Sequence, residues 1–109
     1  MNIEISDYKR KKIIALSGDV DMYSSPVLRE KLMDLVKKKI PALFIDFNQV
    51  SYIDSSGIAT FVEGLKGMKS YGGRLMFFGV PPRVMEIFNF SKLDKVFEIH
   101  GNIEDAFNS

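Results

Sequence analysis

A single α/β domain with a mixed, mostly parallel sheet, in the order β-β-α-β-α-β-α-β-α, is what this sequence predicts. Three observations carry the expectation. Short apolar runs alternate with segments of helical spacing, which implies parallel strands joined by helical crossovers. Two strand-like segments stand together at the start, so only the first strand is free to run antiparallel. No linker, low-complexity tract or repeat interrupts the 109 residues, a length that suits one domain spanning 1–109.

Ile3 and Ile5 alternate within residues 2–7, and Ile13-Ile14-Ala15-Leu16 form a continuous apolar run within 12–17. The basic bend Lys9-Arg10-Lys11-Lys12 joins the two as a hairpin with a solvated tip, and the continuous run predicts a second strand buried on both faces. Helical spacing begins after Tyr23. Ser24 or Ser25 can cap, and Pro26 suits the first helical position, where a missing N–H costs nothing. Leu28, Leu32, Leu35 and Val36 share one face, Lys37-Lys38-Lys39 meets the negative end of the dipole, and Pro41 stops the helix.

Residues 42–47 read as a buried strand and 48–52 as a turn-rich stretch. The next helix covers about 55–71, with Ile58, Phe61, Val62, Leu65 and Met68 as its face and Gly72-Gly73 as its stop. A strand at 74–78 follows, then a short helix at 82–88 opened by Pro82 and carrying Val84, Ile87 and Phe88. A last strand at 96–99 precedes a terminal helix through Ala106 and Phe107 capped by Asn102.

Fifteen basic against 14 acidic residues leave a formal charge of +1, unlike the basic stripe of a dedicated nucleic-acid binder. The absence of cysteine removes disulfides, thiolate zinc sites and cysteine nucleophiles together. No apolar run approaches the roughly 20 residues of a membrane helix, and the charged start lacks a signal-peptide core, so a cytoplasmic protein is expected. Catalysis finds little support. The one histidine, His100, has no recognisable partner, Asp19 and Asp21 lack further ligands at metal-binding spacing, and no phosphate-binding glycine motif occurs. A non-enzyme without cofactor or metal is expected.

Two stretches invite a functional reading. In Asp54-Ser55-Ser56-Gly57 the plain reading is a helix cap by Asp54, with Gly57 merely tolerated. The alternative is a serine hydroxyl displayed at a helix N-terminus, beside a glycine that lets another protein approach closely. In Asp19-Val20-Asp21-Met22-Tyr23 two acids leave a strand end before a helix. Ligands and partners gather at the carboxyl ends of parallel strands, so Asp21 and Ser56 share one surface if those strand exits are adjacent. Met22 and Tyr23 then add adaptable apolar area at its edge, the plain alternative for Met22 being core filling.

Gly18-Asp19-Val20-Asp21, Phe44-Ile45-Asp46-Phe47, Tyr52-Ile53-Asp54-Ser55-Ser56-Gly57, Gly72-Gly73-Arg74-Leu75, Val84-Met85-Glu86-Ile87 and Leu93-Asp94-Lys95-Val96-Phe97 occur in that order. Together they resemble the STAS domains of bacterial anti-sigma factor antagonists over nearly the whole chain. The resemblance implies a STAS-like fold and a protein that, unmodified, binds an anti-sigma factor that is also a serine kinase, freeing the sigma factor. It implies phosphorylation of the serine before the glycine, Ser56, with Ser55 as the alternative, and reversal by a phosphoserine phosphatase. Asp21, Met22, Asp54, Ser55 and Gly57 become the expected partner-binding residues, and the free protein is expected to be a monomer. Lys92 stands where the family often has glycine, and Asp19 where many relatives have Glu. Rival readings are a STAS module of another signalling scaffold, a small-ligand or nucleotide-binding regulatory domain, and a receiver domain with Asp46 as phosphoacceptor.

Overall fold

A computed structural model describes residues Met1–Ser109. Its elements are β1 (Asn2–Tyr8), β2 (Lys11–Val20), α1 (Ser25–Lys37), β3 (Ala42–Ile53), α2 (Ser55–Lys69), β4 (Arg74–Phe78), α3 (Pro82–Phe90), β5 (Glu98–His100) and α4 (Ile103–Phe107), with a 3-10 turn at Leu93–Lys95. The expected order holds. The five strands lie in the sheet in chain order, β1 antiparallel to β2 and every later pair parallel.

The strand pleat divides the core between two layers. Leu43, Ile45 and Phe47 of β3 and Leu75 and Phe77 of β4 face the layer packed by Leu28, Leu32, Phe61, Val84 and Phe88. Phe44, Met76 and Phe78 face the other way, onto Ala106 of α4. The second strand departs from expectation: Ile14, Leu16 and Val20 are buried, but Ile13 and Ala15 on its other face are only half-buried. The short α4 covers too little of that face to bury it fully.

The larger correction concerns 48–52, which are strand rather than turn. β4 pairs with β3 only over Ala42–Asp46, but Gln49, Val50, Tyr52 and Ile53 go on pairing with Ser17, Gly18, Asp19 and Val20 of β2. Polar residues in this stretch do not break the strand because Val50 and Ile53 are buried and β2 supplies the backbone partners. The β2–β3 pair thus projects beyond the rest of the sheet. Two register shifts in the β2–β3 pairing, each with the extra residue on β3, and the left-handed Gly18, φ 93°, accommodate it.

Smaller differences fall at element ends. The last strand begins at Glu98 rather than 96, because Leu93–Lys95 forms the 3-10 turn and Phe97 is spent in the core. α3 runs on to Phe90, and α2 stops at Lys69. Behind α2, Gly73 N–H donates to Met68 O (2.8 Å), Gly72 N–H donates to Lys69 O (3.2 Å), and Gly72 is left-handed, the geometry of a glycine-closed helix end.

Lys92 adopts φ 60°, ψ 22°, so the turn keeps a left-handed shape although lysine occupies it. Lys92→Gly is expected to raise stability by about 0.5–1 kcal/mol, the relief of a side-chain clash net of glycine's added unfolded-state entropy. Thermal unfolding of the two forms checks this; an unchanged or lower melting temperature means the left-handed lysine carries no strain.

Candidate functional site

The projecting strands bring two loops together. Val20 pairs with Ile53, and the Asp54 N–H donates to Val20 O at 3.0 Å, so the exits of β2 and β3 lie side by side as the sequence suggested. The helices that follow are tied as well. Arg29 of α1 grips Glu63 of α2 through Nε (2.6 and 3.1 Å) and Nη2 (2.7 Å), a bidentate pair that aligns their N-termini.

Asp54 organises the second loop. Its backbone is extended, and Oδ1 accepts from the N–H groups of Ser56 (2.9 Å) and Gly57 (3.2 Å) and from the Ser56 hydroxyl (2.6 Å). The Ser56 hydroxyl is the main reason the carboxyl titrates below its ordinary range; desolvation opposes it, and the N–H groups of Gly57, Ser56 and Met22 add to it. The capping reading is therefore right. It also leaves the helix few free donors, because Ile58 N–H donates to Asp54 O at 3.0 Å.

The two serines differ. Ser56 is half-buried, and its Oγ lies between Asp54 and Ser25 Oγ, 3.2 Å away. Ser25, which the sequence offered as a cap, is 5% exposed and spends its hydroxyl on Ser56 instead. Ser55, in contrast, is exposed.

Ser24 does not cap α1 either. Its hydroxyl accepts from Asp21 N–H (2.9 Å) and donates to Asp19 O (2.9 Å), while Asp21 Oδ1 accepts from the N–H groups of Tyr23 (2.9 Å) and Ser24 (3.1 Å). An Asx turn centred on Asp21 thus shapes the first loop. It pushes Met22 and Tyr23 outward, 65% and 85% exposed, which excludes core filling for Met22. Beside them a hollow of about 410 Å³ is lined by Met1, Ile3, Asp19, Asp21, Tyr23 and Val27.

Gly57 needs correcting as a partner-binding residue. It is buried, and a Cβ built there would lie 2.7 Å from Val20 Cγ1 and 2.8 Å from both Ile53 Cγ1 and Val20 O. Glycine lets α2 sit down on the ends of β2 and β3; it faces the fold, not a partner. Gly57→Ala is expected to cost about 1–3 kcal/mol, since the neighbours include a backbone oxygen. Denaturant unfolding measures this, and a loss under 0.5 kcal/mol would mean the helix shifts freely.

Other groups fall outside the site. Asp46 lies mid-strand in a hollow with Glu4, Ser17 and Gln49, its carboxylate accepting from Asn48 N–H (2.9 Å), so it does not present itself at a strand end. His100 is half-buried against Glu98, Nε2 to Oε2 2.9 Å. Sequence reasoning missed Tyr52 and Phe90, 46% and 92% exposed, which border a hollow of about 440 Å³ with Arg83 and Ile87. Phe90 was detectable, for it falls off the Val84–Ile87–Phe88 stripe. Tyr52 was hidden by the reading of its segment as a turn.

Residues 2–106 match the STAS domain family. The chain is 32% identical over 104 residues to the anti-sigma-B factor antagonist of Bacillus subtilis (strain 168), covering 95% of this chain and 94% of that one. It is 32% identical over 109 residues to the anti-sigma-B factor antagonist of Listeria monocytogenes, covering 99% and 95%. Its fold superposes on an anti-sigma factor antagonist from Mycobacterium paratuberculosis with a TM-score of 0.88 at 22% identity, covering 98% and 91%. On the phosphorylated form of the Bacillus cell fate determinant SpoIIAA the TM-score is 0.76 at 19% identity, covering 98% of each chain. With the matching fold and motifs in hand, the chain belongs to the STAS domain family.

Proposed function

We propose that the protein is a non-catalytic anti-sigma factor antagonist. Unmodified, it binds an anti-sigma factor that is also a serine kinase; phosphorylation in the Asp54–Gly57 turn ends the binding, and a phosphoserine phosphatase restores it. The observation that carries this is the meeting of two strand exits, which sets an exposed serine at the start of α2 beside exposed Met22 and Tyr23. The names of the similar Bacillus and Listeria proteins support it, as does the existence of a structural relative in a phosphorylated form.

Between the two serines, exposure favours Ser55 over the motif-based choice of Ser56. A kinase must reach a free hydroxyl, and the Ser56 oxygen is wedged between a carboxylate and a buried serine. Phosphate on Ser56 would also set a dianion against the Asp54 carboxylate in a half-buried site, whereas Ser55 carries it into solvent.

The test incubates the purified chain with the serine kinase anti-sigma factor of its own organism and ATP, then maps the label by fragmentation mass spectrometry. Label on Ser55 is expected. Label on Ser56 returns the acceptor to the motif-based choice, and no binding or label at all overturns the function.

Asp21 gives an independent check. Its Oδ1 holds the loop through two N–H groups, work an asparagine oxygen can also do. Asp21→Asn is expected to leave the melting temperature unchanged while weakening kinase binding about tenfold, a loss of about 1.4 kcal/mol. A lower melting temperature with unchanged affinity, measured on the same preparation, would make Asp21 a loop residue only.

A further inference from the structure

A carboxylate only accepts hydrogen bonds, so the contact between Ser56 Oγ and Asp54 Oδ1 at 2.6 Å consumes the single proton of the Ser56 hydroxyl. That fixes the sense of the next contact. Ser25 Oγ is 3.2 Å from Ser56 Oγ, and with the Ser56 proton spent, Ser25 is the donor. The chain of protons runs one way, from Ser25 on α1 to Ser56 on α2 to Asp54 at the α2 cap. Ser25 is 5% exposed in a site where alanine would pack without a polar group to satisfy, so its hydroxyl is there at a desolvation cost that only this bond offsets. At its far end the relay meets a carboxylate that also receives the N–H groups of Ser56 and Gly57.

We infer that Ser56 and Ser25 are positioning residues: their one-way relay locks the Asp54 carboxylate onto the first turn of α2, and so presents Ser55 in a fixed pose to the kinase. The relay itself stands on the geometry; only its effect on labelling rests on the proposed phosphorylation of Ser55. Without the Ser56 hydroxyl the carboxylate loses its shortest contact and the turn bearing Ser55 loosens. Without Ser25 the Ser56 hydroxyl keeps its acceptor but is no longer held from behind, so the effect is smaller.

The test compares wild type, Ser56→Ala, Ser56→Thr and Ser25→Ala by NMR titration of the Asp54 carboxyl, and by kcat/KM for kinase labelling at Ser55. Thermal unfolding shows that each variant folds. Ser56→Ala is expected to raise the Asp54 titration midpoint and lower labelling about tenfold, the equivalent of one charge-assisted hydrogen bond. Ser56→Thr, which keeps the hydroxyl, restores both, and Ser25→Ala moves both in the same direction by less. An Asp54 midpoint unmoved in Ser56→Ala overturns the relay, whatever the kinase does. A shifted midpoint with labelling unchanged overturns the positioning role. If wild type takes no label at Ser55, the proposed acceptor and the positioning role both fall, while the titration still decides whether the relay exists.

Discussion

Phosphorylation of Ser55 is expected to weaken binding to the anti-sigma factor kinase at least 100-fold without changing the fold. Phosphoserine brings about −1.5 to −2 charges at neutral pH. A helix N-terminus ordinarily absorbs such charge, but here Asp54 already takes the N–H groups of Ser56 and Gly57, and Ile58 N–H is bonded to Asp54 O. The phosphate therefore stays a free charge on the docking surface. It adds to Asp54 in the same turn and to Asp19 and Asp21 in the adjoining loop. Two unit charges about 6 Å apart at an effective dielectric of 20 interact by roughly 3 kcal/mol before salt screening, and a 100-fold loss needs only about 2.7 kcal/mol.

Calorimetry of modified and unmodified protein measures the loss, and circular dichroism checks the fold. Ser55→Ala should bind like wild type and escape inactivation. Ser55→Asp carries less charge and bulk, so its affinity should fall between the two. If the phosphorylated protein binds as tightly as the unmodified one, charge at this turn is not the switch.

Phe77→Ala is expected to be the most destabilising single change in the core, at about 3–5 kcal/mol. Phe77 is fully buried in β4, and its ring lies 4.7 Å from those of Phe47 and Phe97, 5.1 Å from Phe61 and 5.9 Å from Phe88. Those partners belong to β3, α2, α3 and the segment before β5, so one ring joins four parts of the fold. Removing it leaves a cavity that no single neighbour can close, and the lost ring-to-ring contacts add to the transfer term. For a domain this size the melting temperature should fall by about 15 °C or more. Denaturant unfolding reads the free energy directly, and a loss below 2 kcal/mol would mean that the cluster collapses into the gap. Below its lowered melting temperature the variant should still bind the kinase, since Phe77 touches none of the loop residues.

Local chemistry made several features of the site legible in advance. Asp54 before a run of helical spacing predicts a cap, and Asp54 is the cap. Two acids leaving one strand beside a serine leaving the next predict a shared surface, and the β2–β3 pairing brings those exits together. Both rest on interactions within a few residues or on parallel-strand topology, which the alternation of apolar runs encodes. Phe90, outside the site, carried a signal that went unread: it is an aromatic residue off its helix's apolar stripe.

The residues misread were those whose roles depend on a partner distant in sequence. Residues 48–52 look like a turn by composition, yet they form a strand because β2 offers them backbone hydrogen bonds and places for Val50 and Ile53 to bury. Gly57 looks like an opening for a partner, yet it answers Val20 and Ile53 beneath it. Ser25 looks like a cap, yet its hydroxyl answers Ser56, 31 residues away. By itself, then, the sequence determined the order of elements, the apolar faces and the cap on α2, all set by short-range propensity and periodicity. Which of two adjacent serines turns inward and which faces solvent was decided only by tertiary structure. Side-chain direction at a helix start depends on what packs against it, and here that is another helix.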